Sequence, residues 1–471
     1  MKAHSKVALF AAILSCSVSS QALAHDPHEN KEEIEALKAE LLRLTARLQQ
    51  LESSIAQNAD AAQAAQNSAQ VAQNAANSAQ SAAESAASTA EAATLAANSA
   101  PQVTLKASPE VKDSRGFTFK PRGRINIDAG YVSAPSSTGA DSGFDAEARR
   151  IRLGATGKIP GGFKYKIEAD FAENTVALTD AIVSYTDGEF TVQAGQFNPF
   201  WGLEEISSSL HTSFIERSAW TDVFPLERRV GVAAIYKTDD IMVQGGVFSD
   251  NSEDIPNDNT SFDGRFVYAP KSGSTQLHFG GSVHYNKLGE GSEVRYRQRP
   301  LVHFTDNRFL NTNRFSATSE LGIGLEAAAI SGPFHVSLEG YNQRVNRPGP
   351  LGSPNFFGAS IEAGYFLTEG DTRGYKIGEF DRVKPVNPVG EGGKGAVQVN
   401  LRYDYLDLNS QGIIGGTQDS VQASLIWTFT DYTRLLLNYG LLSYDDAAFP
   451  TATGDASYNV HVFGARAQVD F

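Results

Sequence analysis

The sequence predicts an all-β transmembrane barrel of about sixteen antiparallel strands, preceded by a long N-terminal α-helical coiled coil. Three observations support the barrel. Apolar and polar residues alternate in short segments from residue 116 to the end of the chain. Aromatic residues occur at the ends of the apolar faces, and short connections alternate with long ones. The coiled coil is predicted by apolar residues that recur upstream every three or four positions.

The first 24 residues resemble an export signal. Lys2 and Lys6 precede an apolar run at 7–14, and a small-x-small cleavage site follows at 22–24. We therefore predict a signal peptide at residues 1–24, whose removal takes with it the single cysteine, Cys16. A rival interpretation makes Cys16 a lipidation site, and the bulky Leu14 disfavours it. After residue 24, the sequence contains no run of eighteen apolar residues, so no transmembrane helix is predicted there.

The second segment, residues 25–105, predicts a rod. Heptad positions a and d from residue 34 to 55 are filled by Ile34, Leu37, Leu41, Leu44, Leu48, Leu51 and Ile55. In the same register, every a and d position from 62 to 100 is alanine, the residue with the highest helix propensity. The alternative is a low-complexity linker. A helix over residues 33–100 would be about 100 Å long, and its seam does not distinguish two strands from three.

The third segment, residues 116–471, predicts the barrel. In FKYKIEADF (163–171) the aromatic and aliphatic residues share one face, and the charged residues share the other. The closing stretch HVFGARAQVDF (461–471) alternates in the same way, so we expect Phe471 at a lipid interface. Sixteen strands are predicted to start near residues 117, 146, 163, 176, 190, 227, 241, 262, 275, 320, 334, 355, 396, 420, 433 and 458.

The connections predict the direction of the barrel. Those after even-numbered strands are mostly short and those after odd-numbered strands mostly long, with 367–394 as an exception. Short periplasmic turns and long outer loops are typical of outer-membrane barrels. An even strand number leaves both chain ends in the periplasm, where we expect the rod. The long connection 198–226, after the fifth strand, suits a loop folded into the lumen.

Strand parity selects the residues expected to face the lumen. The basic ones are Arg150, Arg152, Lys164, Lys166, Arg229, Arg265, Arg402 and Arg434. Arg149 has the opposite parity, and we expect it where its strand leaves the loop. Arg295, Arg297 and Arg299 share a face and are assigned to a vestibule. These cations could attract anions by charge-assisted hydrogen bonds.

A second interpretation of the lumen stays open. The same cations could pair with inward acids in a weakly selective lumen, since the barrel segment holds 31 Lys and Arg against 42 Asp and Glu. The acids of matching parity are Glu168, Asp170, Asp180, Glu339, Asp404 and Asp470.

A family resemblance is carried by three stretches of the barrel segment: GQFNPFWGLEEISSSLHTSFIERS (195–218), RRIRLGATGKIPGGFKYKIEADF (149–171) and GAVQVNLRYDYLDLNSQGIIGG (395–416). Together with RLLLNYG (434–440), they resemble segments of the phosphate-selective porin O and P family. The resemblance implies a sixteen-stranded trimeric outer-membrane channel with arginines at its constriction and lysines along its pore. It matches the constriction arginines to Arg149 and Arg150, and an aspartate to Asp180. The barrel segment departs from the pattern, with 21 Arg but only 10 Lys.

These observations predict an outer-membrane porin for passive diffusion of small hydrophilic solutes, with anions such as phosphate as the expected preference. The alternative is a structural protein whose periplasmic rod ties the outer membrane to peptidoglycan or a periplasmic protein. The expected partners are a second and third copy of the chain, the lipid bilayer and small anions. No enzyme activity, metal or cofactor is expected, and the net charge of −14 disfavours nucleic acid.

Overall fold

The computed structural model describes residues 29–96, 102–105, 107–172, 175–224 and 227–471. The predicted signal peptide and Cys16 lie outside these residues. The chain forms two compact units, residues 1–98 and 99–471.

The first unit contains one helix, α1 (Glu29–Ala96), of 68 residues. At 1.5 Å per residue, its length is about 100 Å. The seam residues are exposed on the single chain, from 52% for Ile34 to 68% for Leu41. Such a helix has no tertiary packing of its own to stabilise it. That α1 forms a coiled coil stays a prediction.

Within the described parts of the chain, no helix has both the length and the apolarity needed to cross a membrane.

The second unit is a closed barrel of sixteen antiparallel strands, as predicted. The strands are β1 (Thr118–Ser133), β2 (Gly143–Ile159), β3 (Phe163–Asp170), β4 (Ala177–Asp187), β5 (Phe190–Phe197), β6 (Arg229–Lys237), β7 (Ile241–Phe248), β8 (Thr260–Tyr268), β9 (Thr275–Lys287), β10 (Ser319–Ser331), β11 (Phe334–Asn346), β12 (Asn355–Phe366), β13 (Ala396–Ser410), β14 (Ile413–Thr430), β15 (Thr433–Asp445) and β16 (Tyr458–Asp470). Each strand pairs with the next, and β16 pairs with β1. A short hairpin, 102–105 with 109–112, extends the start of β1.

Alternation along the strands separates lipid-facing from lumen-facing side chains. On β13, Leu401 is 63% exposed, whereas its neighbours Asn400 and Arg402 are 2% exposed. The terminal aromatic residue completes the closure, because Phe471 and Gly123 exchange two backbone hydrogen bonds of 3.0 Å. A Cβ atom at Gly123 would lie 2.2 Å from the ring of Phe471, so a larger residue there would displace the ring. The apolar face of the last strand therefore continues to the chain end.

The two ends of the barrel differ in their connections. The loop rim carries the connections after odd-numbered strands, of which 198–228 and 288–318 are the longest. The turn rim carries the connections after even-numbered strands and both ends of the barrel chain, with the long connection 367–395 as the exception. One loop-rim connection is only two residues long. Gln411 and Gly412 both have positive φ, which suits a tight hairpin turn, so β14 starts at residue 413 rather than near 420.

Part of the lumen is filled by an apolar core. Inward side chains of β11 to β16, such as Phe356, Leu406 and Leu436, pack with residues of the two long loop-rim connections, such as Trp220 and Phe309. All five are at most 1% exposed. These inward apolar residues do not meet water, because the inserted loops cover them. The open space inside the barrel is therefore confined to part of its cross-section.

Candidate channel and its constriction

The connection 198–228, here called the constriction loop, folds into the lumen. It contains two short helices, α2 (Leu203–Ile206) and α3 (Ala219–Val223). Three strands of the wall hold it. Asp404 accepts a hydrogen bond from the Ala219 backbone N–H at 2.6 Å, and Ser424 donates to the Ser213 carbonyl at 2.6 Å. Arg434 donates to the carbonyl of Thr212 at 3.0 Å.

Side chains of the loop itself fix its shape. Arg217 donates to the carbonyls of Glu204, Glu205 and Ser207 at 2.9, 3.1 and 2.8 Å. Carbonyls at a helix C-terminus lack intrahelical partners, and a basic side chain can supply them. Glu204 in turn accepts from the N–H of Ser218 at 3.0 Å and from its hydroxyl at 2.6 Å. The part of the constriction loop around α2 is thus preorganised.

The long connection at the turn rim also enters the lumen. Its residues 374–381 form a small hairpin, here called the inner hairpin. Tyr375 hydrogen-bonds His278 of β9 at 2.7 Å, and Arg265 of β8 donates to the Gly378 carbonyl at 2.8 Å. The Phe380 N–H donates to the hydroxyl of Ser207 at 2.8 Å. Segments from opposite rims therefore meet inside the barrel.

Two of the cavities beside these segments share lining residues. The larger, of about 610 Å³, is lined by the inner hairpin, the constriction loop and strands of the first half of the barrel. The smaller, of about 240 Å³, lies between the constriction loop and the connection 288–318. Both cavities are lined by the same four residues, Arg149, Arg150, Glu205 and Arg217. We call these four residues the junction.

The two cavities differ in charge. Among the described residues, ten basic side chains line the larger cavity: Arg122, Arg124, Arg149, Arg150, Arg152, Lys166, Arg217, Arg228, Lys376 and Arg382. Five carboxylates face them: Glu168, Asp180, Glu205, Glu379 and Asp381. The smaller cavity has four of each sign: Arg149, Arg150, Arg217 and Arg299 with Glu205, Glu216, Asp222 and Glu227. The larger cavity alone thus carries a cationic excess.

A β-bulge in β2 brings two adjacent arginines to the junction. Asn126 of β1 lies opposite Arg150, and the next residue, Ile127, lies opposite Ala148. Arg149 is the extra residue between them, so its side chain escapes the alternation. The expectation that Arg149 lies where the strand leaves the loop is wrong, since β2 begins six residues earlier, at Gly143.

Glu216 of the constriction loop binds the arginines of this region. Arg149 contacts both of its oxygens, at 2.9 and 3.3 Å, and Arg466 lies 2.8 Å away. Arg150 is more distant, at 4.0 Å. Burial alone would raise the pKa of Glu216, but Arg149, Arg150 and Arg466 together hold it well below its ordinary value. The loop carboxylate is therefore ionised.

Arg150 has bonding capacity to spare. It is 6% exposed, and its Nη1 atom has no hydrogen-bond partner among the residues that the structure describes. A buried guanidinium with an unused donor is unfavourable unless water or a solute supplies an acceptor. Arg150 is thus the junction cation best placed to contact a passing solute.

Other cations of the larger cavity share carboxylates. Arg152 binds Asp170 at 2.7 Å, and Asp180 accepts from both Lys166 and Arg228, at 2.5 and 2.8 Å. Such pairs hold the side chains in place. At Asp180 part of the positive charge stays uncompensated, because two cations share one carboxylate, whereas Arg152 has two carboxylate partners, Asp170 and Glu168.

The remaining predicted residues lie elsewhere. Arg402 and Arg434 point inward but are buried under the constriction loop, where Arg402 binds Glu362 at 2.9 Å. They anchor the loop and line neither of the two cavities. Lys164 is exposed and hydrogen-bonds Thr186 weakly, at 3.4 Å. Arg229 and Arg295 line a third cavity of about 270 Å³ at the loop rim.

The predicted vestibule group does not stay together. Arg299 lines the smaller cavity, Arg295 the third one, and Arg297 is exposed on a two-residue strand between them. Residues 293–294 and 297–298 form separate two-residue strands, which pair with 315–316 and 310–311, so the three arginines do not share one continuous strand.

Several residues of the site were missed. Arg122 and Arg124 have inward parity on β1 and could have been found by the rule applied to β2. Glu216 and Arg217 belong to a loop, where alternation gives no direction, although the Glu-Arg pair was part of the family resemblance. Arg228, Arg382 and Gln298 carry no sequence signal that we recognise.

A closed sixteen-stranded barrel, narrowed by an inserted loop and lined by charged residues, defines an outer-membrane channel of the porin class. The chain belongs to the phosphate-selective porin O and P family, whose model matches residues 119–471. This confirms the family inferred from the sequence.

Two related proteins also match this chain over most of its length. An uncharacterised protein of Caulobacter vibrioides is 45% identical over 388 residues, covering 79% of this chain and 78% of that one. Porin O of Pseudomonas aeruginosa is 25% identical over 356 residues, covering 67% and 78%. Among solved structures, outer-membrane OmpT of Vibrio cholerae is 12% identical with a TM-score of 0.49, covering 79% of this chain and all of that one.

Proposed function

We propose that this outer-membrane channel passes small hydrophilic solutes by diffusion and favours anions. The observation that carries the proposal is the charge of the larger cavity, with ten basic and five acidic side chains. In a narrow, low-dielectric passage, such an excess raises the local concentration of anions. The loop rim faces the outside and the turn rim the periplasm, as short turns and chain ends suggest.

The cationic lining is mainly arginine. Eight of its ten basic residues are Arg, and only Lys166 and Lys376 are Lys. The guanidinium group binds carboxylate and phosphate with the same two-pronged geometry. The proposal therefore covers small organic anions as well as phosphate.

Replacing Arg150 with glutamine should weaken anion preference. Removal of one charge at close range changes the interaction by about 1 kcal/mol, so we expect the chloride-to-potassium permeability ratio to fall about fivefold. The measurement is the reversal potential of single channels in a potassium chloride gradient. The matched control is Arg297→Gln, which removes an exposed arginine outside both cavities.

Two results would contradict this proposal. A cation-selective reversal potential in the unmodified protein would remove anion preference. An equal effect of Arg150→Gln and Arg297→Gln would show that the junction does not set selectivity.

A second role is favoured by the exposed seam of α1. We propose that residues 25–105 form a periplasmic coiled coil between copies of the chain, in a homotrimer, and that this rod can bind peptidoglycan or a periplasmic protein. The supporting observation is the stripe of seven Leu and Ile residues, each more than half exposed on the single chain. Association would bury this stripe.

Cysteine cross-linking tests the association in the full-length protein. Leu41→Cys places a thiol on the seam, and the control Leu42→Cys places one on the adjacent, outer position. Under mild oxidation, we expect covalent dimers from Leu41→Cys and few from Leu42→Cys, measured on denaturing gels without reductant. Equal yields from both variants would rule out the predicted seam.

A further inference from the structure

The smaller cavity has the features of a binding site for a solute of both charges. It lies on the loop-rim side of the junction, with a volume of about 240 Å³. Its four basic and four acidic side chains balance, unlike those of the larger cavity. A simple anion gains little from a balanced lining, because each carboxylate offsets a guanidinium. A solute that presents both charges can use both.

The lining of this cavity has unused hydrogen-bonding groups. Gln298 is 0% exposed, and neither atom of its amide has a hydrogen-bond partner within the described chain. Arg150, which also lines the cavity, has its own unpartnered Nη1 atom. Unsatisfied buried polar groups are rare in native proteins and usually mark a place for water or a ligand. A carboxylate can accept a hydrogen bond from either donor.

Two carboxyl groups also line the cavity. Asp222 accepts one hydrogen bond, from the backbone N–H of Arg299 at 2.8 Å. Neither Asp222 nor Glu227 lies within 4.0 Å of a basic side chain among the residues described. Both side chains are exposed, so a solute that enters the cavity can reach them. They are therefore suited to an ammonium group.

We propose that the smaller cavity is a subsite for zwitterionic solutes, such as amino acids and short peptides. The solute carboxylate contacts Arg150 and Gln298, and its ammonium group contacts Asp222 and Glu227. The proposal rests on the channel function proposed above and adds the substrate class to it. The cationic junction then draws the carboxylate end toward the larger cavity.

Current block by matched solutes tests this proposal on the full-length protein in planar bilayers. Glycylglycine carries both charges, and N-acetylglycine is the same skeleton without the ammonium group. We expect glycylglycine to block the chloride current at concentrations about fivefold lower than N-acetylglycine. Glycinamide, which lacks the carboxylate, should also block weakly.

Variants of the two carboxyl groups assign the effect to this cavity. Asp222→Asn keeps an oxygen for the Arg299 N–H but removes the charge, and we expect it to raise the blocking concentration of glycylglycine about fivefold. Glu227→Gln, as an independent second variant, should act in the same direction. The control is Glu290→Gln, an exposed position on the connection 288–318 that lines neither cavity.

The outcomes separate the two proposals. Equal block by glycylglycine and N-acetylglycine, or block unaffected by both carboxyl variants, overturns the zwitterion subsite. If the channel remains anion-selective in that case, the proposed function stands. A cation-selective channel overturns the proposed function, whatever the block experiment shows.

Discussion

Replacement of Asp128 by asparagine is expected to lower the barrel's free energy of unfolding by about 3–5 kcal/mol. Asp128 of β1 lies directly opposite Arg466 of β16, at the seam where the last strand closes on the first. Two hydrogen bonds of 2.7 Å join the side chains, and both residues are 0% exposed. The asparagine variant has almost the same volume but leaves the guanidinium charge buried with one partner fewer. The cost is therefore mainly electrostatic.

The measurement is urea unfolding of refolded protein in detergent, followed by tryptophan fluorescence. The control variant is Asp187→Asn, which removes an exposed carboxylate at the end of β4. Exposed charges contribute little to stability, so the control should change the free energy by less than about 1 kcal/mol. Similar unfolding midpoints for the two variants would show that the Asp128–Arg466 pair does not hold the barrel closed.

The strands were predictable because each strand faces lipid on one side and the barrel interior on the other, which imposes a strict period of two. Leu401 and Tyr403 face outward and Arg402 inward, as their parity indicates. Fifteen of the predicted strand starts lie within three residues of the observed ones. The other, β14, begins at residue 413 because a two-residue turn at Gln411 and Gly412 lengthens the strand beyond its apolar portion.

The site was less predictable because its key features interrupt that period. The bulge at Arg149 adds one residue to β2, which alternation cannot anticipate. The constriction loop covers Arg402 and Arg434, so inward parity did not imply contact with the open path. Parity shows which face a side chain occupies, whereas the inserted loops decide whether water reaches it. The apolar core around Trp220 follows from the same cause.

Replacement of Glu216 by glutamine is expected to release the constriction loop and raise single-channel conductance. Glu216 contacts Arg149 at 2.9 Å and Arg466 at 2.8 Å, so the variant would leave the half-buried Arg149 and the buried Arg466 with less compensation. Removing one partner from a buried ion pair costs about 3–5 kcal/mol. Glu216 belongs to the loop and not to a strand, so we expect the loop to move before the barrel unfolds.

Conductance in planar bilayers measures the loop's position, and urea unfolding measures the barrel. The control is Glu189→Gln, an exposed position at the turn rim. A rise in conductance with an unchanged unfolding midpoint would place the effect in the loop. Unchanged conductance would show that Glu216 does not hold the constriction.

The pH dependence gives an independent check on the same residue. Burial would raise the pKa of Glu216, but Arg149, Arg150 and Arg466 lower it well below its ordinary value. The stabilising contribution of a carboxylate with a lowered pKa is present above its unfolded pKa, about 4.3, and is lost as the pH falls through the folded value. Glu216 should therefore cause no change in conductance from pH 8 to about pH 5. Below this range, acid that protonates Glu216 should raise the conductance. Because glutamine cannot ionise, this rise should be absent in Glu216→Gln.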